Sequence, residues 1–362
     1  MTEEDYLMWL SRISGVGAKR YDHLLKIFGS AKFIWESSSY DMKSVRAIPE
    51  VVIDEICKSK DKKILEGYIK ELEKKDIKFI SCRNEKFPHL LKNIPNPPMG
   101  IYVKGKLPDD ELIKVSIIGS RDCSNYGAMA AYKMAKDLSK NNIVVVSGMA
   151  IGADSMAHKG ALEAGGKTIA VLGSGVDICY PSENMRLYRE IAEKGAIISE
   201  YPPGTRSSSK HFPKRNRIVS GMSKALIVTE AAGRSGTMIT VNQALDQGRD
   251  VYAVPGNITS ELSVGTNAFI KEGAQLITSY KDIMESLGLP IVDLEAETIK
   301  KMENLAPDEK LVYDCMSFEP ITVDELVFKM DIKLQKMQYI LTILESNGLV
   351  QKLAGQRYIH SL

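Results

Sequence analysis

Ala225-Leu226-Ile227-Val228-Thr229-Glu230-Ala231-Ala232-Gly233-Arg234-Ser235-Gly236-Thr237 is the stretch that decides the fold. An apolar run gives way to small and polar residues, and these open a helix. A short run of this kind closed by glycine reads as a strand buried on both faces. The strand, the loop and the helix start form a corner that turns backbone N–H groups and the positive helix end toward a bound anion. Working outward, further apolar runs stand at Val115–Gly119, Ile143–Ser147, Thr168–Leu172, Ala196–Ser199 and Asp250–Val254, with helix-like segments between them. Alternation of this kind predicts an α/β, doubly wound, mostly parallel sheet of Rossmann-like type. Ligands of such sheets sit at the carboxyl ends of the strands. Here those ends are Gly119-Ser120-Arg121, Ser147-Gly148-Met149-Ala150, Gly173-Ser174-Gly175, Tyr201-Pro202-Pro203-Gly204 and Gly233 to Gly236.

Immediately before the deciding strand the charge becomes one-sided. Between Glu200 and Glu230 there is no acidic residue, whereas Arg206, Lys210, Lys214, Arg215, Arg217 and Lys224 are all basic. The whole chain carries a formal charge of only +2, so the excess is local. Its centre is His211-Phe212-Pro213-Lys214-Arg215-Asn216-Arg217. A basic block beside an amide-presenting corner reads as an anion-binding edge.

Length and composition set the frame. A chain of 362 residues with 44% hydrophobic and 26% charged residues is expected to fold as a soluble protein of two or three domains. No apolar run approaches a membrane span, and the acidic start Met1-Thr2-Glu3-Glu4-Asp5 lacks signal-peptide character. The five cysteines are scattered without a CxxC pair, which fits a reducing cytoplasm and gives no zinc site.

The ends of the chain differ from its middle. Residues 1–80 read as a small helical domain of helix-hairpin-helix/SAM-like type, with Ile13-Ser14-Gly15-Val16-Gly17 as the hairpin turn. Ile77–Ile80 and Ile101–Gly105 read as short strands within an extended, proline-rich connection. The sheet domain takes residues 81–288, and a linker follows at 289–306. Residues 307–362 read as helices at 308–316, 322–330 and 333–346, then a hairpin around Ala354-Gly355, which suggests a winged helix. This last unit carries six basic against eight acidic side chains, so protein contact or weak DNA contact suits it better than groove reading.

Several near-motifs fail on inspection. Gly160 to Thr168 nearly spells a P-loop, but Ala161 stands in place of the first glycine and the run ends a helix instead of opening one. Gly166 reads there as a helix-ending glycine. Asp154 and His158 have metal-ligand spacing without a third ligand nearby, so a helix-start cap and a packed histidine explain them. Gly173-Ser174-Gly175 lacks the third glycine of a dinucleotide fingerprint.

Together the motifs closely resemble the bacterial DNA-processing protein A (DprA/Smf) family. The carriers are Gly119-Ser120-Arg121, Ser147 to Asp154, Tyr201-Pro202-Pro203-Gly204, Phe212 to Gly221, Ser235-Gly236-Thr237 and Val254-Pro255-Gly256-Asn257, with Pro97 to Gly105 upstream. The resemblance implies a cytoplasmic, homodimeric single-stranded DNA-binding protein of natural transformation. Such a protein protects incoming DNA and loads the RecA recombinase onto it, with no catalysis and no bound cofactor. Arg121 and Lys210 are the implied phosphate contacts and Phe212 the implied base contact. Many relatives place the lysine one position earlier, where this chain has Ser209. The full implied nucleic-acid site is Gly119, Ser120, Arg121, Ser147, Gly148, Lys210, Phe212, Arg215, Asn216, Arg217, Gly233, Ser235, Gly236 and Thr237. A rival of another class also resembles the sheet: the lysine-decarboxylase-like phosphoribohydrolases that cleave nucleoside monophosphates. Their catalytic glutamate is matched here by Thr240, whose hydroxyl cannot supply carboxylate chemistry.

Overall fold

The central sheet of the computed structural model has nine strands in the order β1-β2-β6-β5-β4-β3-β7-β8-β9. Its first members are β1 (Ile77–Ser81) and β2 (Gly100–Gly105), preceded by helices α1 (Glu3–Ser11), α2 (Ala18–Phe28), α3 (Ala31–Glu36), α4 (Ser39–Lys43), α5 (Glu50–Lys58) and α6 (Lys62–Lys74). A short α7 (His89–Lys92) lies between the two strands. The alternating part follows as β3 (Lys114–Ile118), α8 (Asn125–Lys140), β4 (Val144–Ser147), α9 (Ala153–Glu163), β5 (Thr168–Val171), α10 (Met185–Lys194) and β6 (Ala196–Ser199). It continues through α11 (His211–Gly221), β7 (Ala225–Val228), α12 (Gly236–Asp246), β8 (Asp250–Ala253), α13 (Val264–Lys271), β9 (Gln275–Leu276) and α14 (Tyr280–Ser286). The structure describes residues 1–45, 47–233, 235–291, 302–317, 320–353 and 355–360. The linker expected at 289–306 falls mostly outside them, as does Ala354 of the hairpin turn.

From β6 to β9 every pairing is parallel. The four residues of β7 are all buried, as are those of β4, β5 and β6, which is why their sequence is apolar apart from Ser147, Thr168 and Ser199 at strand ends. The chain leaves β3 toward β4 on one side and later places β7 on the other, so the topological switch point lies between β3 and β7.

Two readings change at the edges. The two short strands read within 77–105 belong to the sheet and not to a mere connection, because β1 and β2 extend it antiparallel, with Tyr102 opposite Ser199 and Phe79 opposite Tyr102. The boundary read at 80/81 therefore cuts through β1. The two-residue β9 is too short to leave a sequence signature. The glycine that ends α9 is Gly165, at φ +71°, one position before the residue read in that role.

Two compact units make up the chain, Met1–Leu289 and Pro290–Leu362. In the first, one buried cluster joins Leu7, Leu10, Leu24, Ile34 and Ile56 of the helical layer to Tyr102, Met149, Leu172, Val176, Leu187 and Ile191 of the sheet region. The hairpin turn belongs to this packing: a Cβ on Gly15 would meet Val52 Cγ2 at 2.8 Å, and Arg20 donates to the Gly15 carbonyl at 2.7 Å. In the second unit α15 (Pro307–Cys315), β10 (Ile321–Thr322), α16 (Val323–Met330), α17 (Leu334–Ser346), β11 (Val350–Leu353) and β12 (Arg357–His360) form a winged helix. Its own core is built on Val312, Leu326, Met337, Leu341 and Leu344.

Candidate functional site

A cleft of about 680 Å³ opens at the switch point, lined by Gly119-Ser120-Arg121-Asp122, Ser207 to Ser209, Phe212, Asn216 and Ser235-Gly236-Thr237, among others. A smaller chamber of about 90 Å³ shares Arg121, Ala150, Tyr180, Ser207, Phe212 and Arg215 with it and adds Gly148, Gly173, Ser174 and Pro181.

The turn after β3 is possible only with glycine at its head. A Cβ on Gly119 would sit 2.6 Å from Thr229 Oγ1 and 2.7 Å from Ala153 Cβ. The turn rests on the start of α9, where Gly152 (φ +78°) lies so close that a Cβ there would meet the Arg121 carbonyl oxygen at 2.3 Å. Arg121 itself is exposed, with its guanidinium carbon 5.3 Å from the Phe212 ring centre.

The turn after β4 is held from three directions. Met149 adopts φ +65°, in the left-handed region that costs a non-glycine residue energy, and its side chain is anchored in the core. The Asp154 carboxylate accepts the amides of Gly148 (3.1 Å) and Ala150 (3.2 Å). Arg215 donates to the carbonyls of Gly148 and Val171. Asp154 is thus a turn clamp and not a helix cap; the cap position of α9 belongs to Gly152. Burial pushes the Asp154 carboxyl above its usual range against the pull of Arg215, and pushes the Arg215 guanidinium down against the pull of Asp154.

The basic block folds as the first turns of α11 and divides its charges by facing. Lys210 and Lys214 point to solvent, and neither lines the cleft. Arg215 is buried. Arg217 is paired with Glu200, Nη2 lying 2.6 Å from each carboxylate oxygen. Phe212 is half-buried against Tyr180, at 5.6 Å between ring centres. His211 stacks on Tyr201 at 4.1 Å, and its Nδ1 lies 3.0 Å from the Gly173 carbonyl oxygen.

On the far wall the N-terminus of α12 enters the cleft. Ser235 occupies the cap position in extended conformation (φ −137°) without a side-chain cap hydrogen bond, and its buried Oγ has no partner among the described residues. The first turn of α12 therefore offers uncapped amides to whatever enters, with the unpartnered Ser235 hydroxyl buried beside them.

Gly119, Ser120, Arg121, Gly148, Phe212, Arg215, Asn216, Ser235, Gly236 and Thr237 meet around the two chambers. The structure does not bring Ser147, Lys210, Arg217 or Gly233 there. Ser147 is buried with Oγ donating to the Ile117 carbonyl, and Gly233 faces Val264 instead. Sequence reasoning missed Tyr180, Asp154 as a clamp, and the serine run at 207–209. The loop after β5 was legible as a strand end, so following it past Gly175 would have reached Tyr180.

Beneath the turn, His158 is fully buried, and burial drives its pKa down to about 3. Its Nδ1 lies 2.7 Å from Thr168 Oγ1, which itself donates to Val145 O, so Nδ1 carries the proton of a neutral ring. His158 and Asp154 are thus both engaged within the protein, and among the described residues there is no group of three potential metal ligands. Thr240, at the position compared with a hydrolase glutamate, also lines the cleft.

Fold and cleft together define a doubly wound, Rossmann-like α/β protein with its site at the topological switch point, joined to a winged helix. The family model described as DNA recombination-mediator protein A matches residues 78–288, and that of the DprA winged helix domain matches residues 300–356. Protein Smf of Synechocystis sp. is 29% identical over 392 aligned positions, covering 99% of this chain and 98% of that protein. DNA processing protein DprA of Streptococcus pneumoniae is 44% identical over 204 positions, covering 56% of this chain and 72% of that one. The crystal structure of that protein superimposes with a TM-score of 0.66 at 34% identity, covering 79% of this chain and 98% of the other. DNA processing protein A of Helicobacter pylori, studied for its single-stranded DNA binding mode, superimposes with a TM-score of 0.52 at 29% identity, covering 58% of this chain and 95% of the other. The chain belongs to the DprA/Smf family. Among the described residues no helix is long and apolar enough to cross a membrane.

Proposed function

We propose that this protein binds single-stranded DNA in the switch-point cleft. The observation that carries the reading is Arg121: an exposed guanidinium at a glycine-headed strand end, beside a half-buried phenylalanine and facing an uncapped helix start. Backbone amides and hydroxyls at Ser120, Ser235 and Gly236 hold phosphate oxygens without reading sequence. Arg121 adds a charged fork, and the aromatic side chains stack unpaired bases, worth roughly 1–3 kcal/mol per base. Duplex is disfavoured because its bases are already stacked. The single-stranded DNA binding studied for the Helicobacter relative supports this reading.

We propose further that it acts as a homodimeric, cytoplasmic loader of RecA during natural transformation; the family description, a DNA recombination mediator, supports the mediating part of that role. In that role the protein binds DNA and hands it on, with no catalysis.

Fluorescence anisotropy of a labelled oligo-thymidine and of the same-length duplex, across a salt series, tests the binding. Strong single-strand preference with a steep salt slope is expected. Equal weak binding to both would end the proposal and turn attention to nucleoside monophosphates as hydrolase substrates. RecA assembly on oligo-thymidine coated with a single-strand-binding protein tests the loading role, and no acceleration by this chain would remove it.

A further inference from the structure

Tyr180 stands in the loop after β5, outside the basic block, and lines both chambers of the cleft. It is 46% exposed. A single exposed aromatic is ordinary on a protein surface. Its neighbours make this one different. The Phe212 ring is surrounded: the Arg121 guanidinium carbon lies 5.3 Å from its centre, that of Arg215 6.0 Å, and the Tyr180 ring 5.6 Å at an interplanar angle of 30°. The Gly173 backbone lies against the ring as well, so close that a Cβ there would stand 3.1 Å from Phe212 Cδ1. A nucleobase needs an open ring face at a contact distance of about 3.5–4 Å. Phe212 is the inner ring of this pair, and Tyr180 is the outer one.

The loop that carries Tyr180 is fixed at many points. Asp177 accepts the Gly204 amide at 2.8 Å with one oxygen and pairs with Lys75 of the helical layer at 2.9 Å with the other. Ser174 Oγ donates to the Ile178 carbonyl at 3.0 Å, and the Tyr188 hydroxyl donates to the Val176 carbonyl at 2.5 Å. Little ordering of the backbone remains to be done when a ligand stacks there, which favours affinity.

We infer that Tyr180 is a base-stacking residue, the outer platform of a two-ring stack in which Phe212 is the inner support. The inference rests on the single-stranded DNA reading of the cleft. It assigns the main aromatic contact to the β5 loop instead of the basic block.

Photocrosslinking of the wild-type protein to an oligo-thymidine carrying 5-iodouracil, followed by peptide mapping, tests it directly. Attachment at Tyr180 is the expected result. Tyr180→Ala should weaken oligo-thymidine binding by roughly 5- to 150-fold with an unchanged salt slope, because stacking releases no counterions. Tyr180→Phe should bind like wild type. Crosslinks confined to other residues, or a Tyr180→Ala variant of normal melting temperature that binds like wild type, would overturn the assignment. Should the alanine variant fail to fold, the wild-type crosslink decides alone. Two failures are distinguishable. If wild-type protein shows no single-strand binding, the underlying reading falls. If it binds, and Arg121→Ala lowers the salt slope while Tyr180→Ala does nothing, only the assignment of Tyr180 falls.

Discussion

The turn after β3 and the first turns of α11 both bring arginine to one cleft, and they use it differently. Arg121 extends into solvent from a turn whose shape is set by glycine and close packing, and its guanidinium carbon stands 5.3 Å from the Phe212 ring centre. Arg215 is drawn inside to hold two strand-end carbonyls, and Arg217 is neutralised by Glu200. The two arginines in the segment with the densest positive charge are therefore structural, while its lysines Lys210 and Lys214 face solvent outside the cleft. The free guanidinium within the cleft comes from a turn with a single arginine. Local charge density marks where a site is; burial and pairing decide which charges a ligand can reach.

The sharpest way to break this contrast is Arg215→Ala. It leaves Asp154 buried without its countercharge, so a stability loss of about 3–5 kcal/mol is expected, read by thermal or denaturant unfolding. An intact melting temperature together with a reduced salt slope would make Arg215 a phosphate ligand and erase the distinction. Next comes Arg121→Ala, expected to cost about 1.5–3 kcal/mol of oligonucleotide affinity and to lower the salt slope by roughly one, with stability unchanged. Unchanged binding would remove it from the site.

A pH titration probes the packing beneath the β4 turn. His158 stays neutral in the fold, with its pKa down at about 3, whereas the unfolded chain takes up a proton near the ordinary value of about 6.5. Its contribution is therefore complete above about pH 6.5 and is lost as pH falls from there toward 3. At pH 5 the loss is about 2 kcal/mol, and His158→Gln should flatten that part of the stability profile. A wild-type profile already flat between pH 7 and 5 would contradict the buried neutral ring. The smallest effect is expected from Thr240→Ala, which should change DNA affinity by less than about 0.5 kcal/mol although Thr240 lines the cleft. A strong loss would show that the α12 wall contributes more than its amides.

The parallel strands were legible because burial on both faces leaves a continuously apolar run, as in Ala225–Val228. The antiparallel edge was legible as strands but not as sheet, since Tyr102 meets Ser199 across a separation that neither local sequence announces. The same limit applies within the site. Gly119 and Arg121 reveal themselves by local chemistry, while the fate of Arg217 depends on Glu200, which reaches it only when β6 and α11 have folded together. The family resemblance implies Lys210 as a phosphate contact; in the structure it stands exposed at the head of α11, outside the lining of the cleft. Tyr180 was overlooked because an aromatic beside proline carries no charge signal.

Met149, strained at the rim of the cleft, is rooted in the cluster that also contains Leu10, Leu24 and Ile56 of the helical layer. The family match at residue 78 begins after that layer, yet the cleft turn and the N-terminal helices share one interior. Occupancy of the cleft would then be felt at the other end of the unit: a saturating ligand that stabilises the native state should slow amide exchange in α1 and α2, although all of α1 lies more than 100 residues before Arg121.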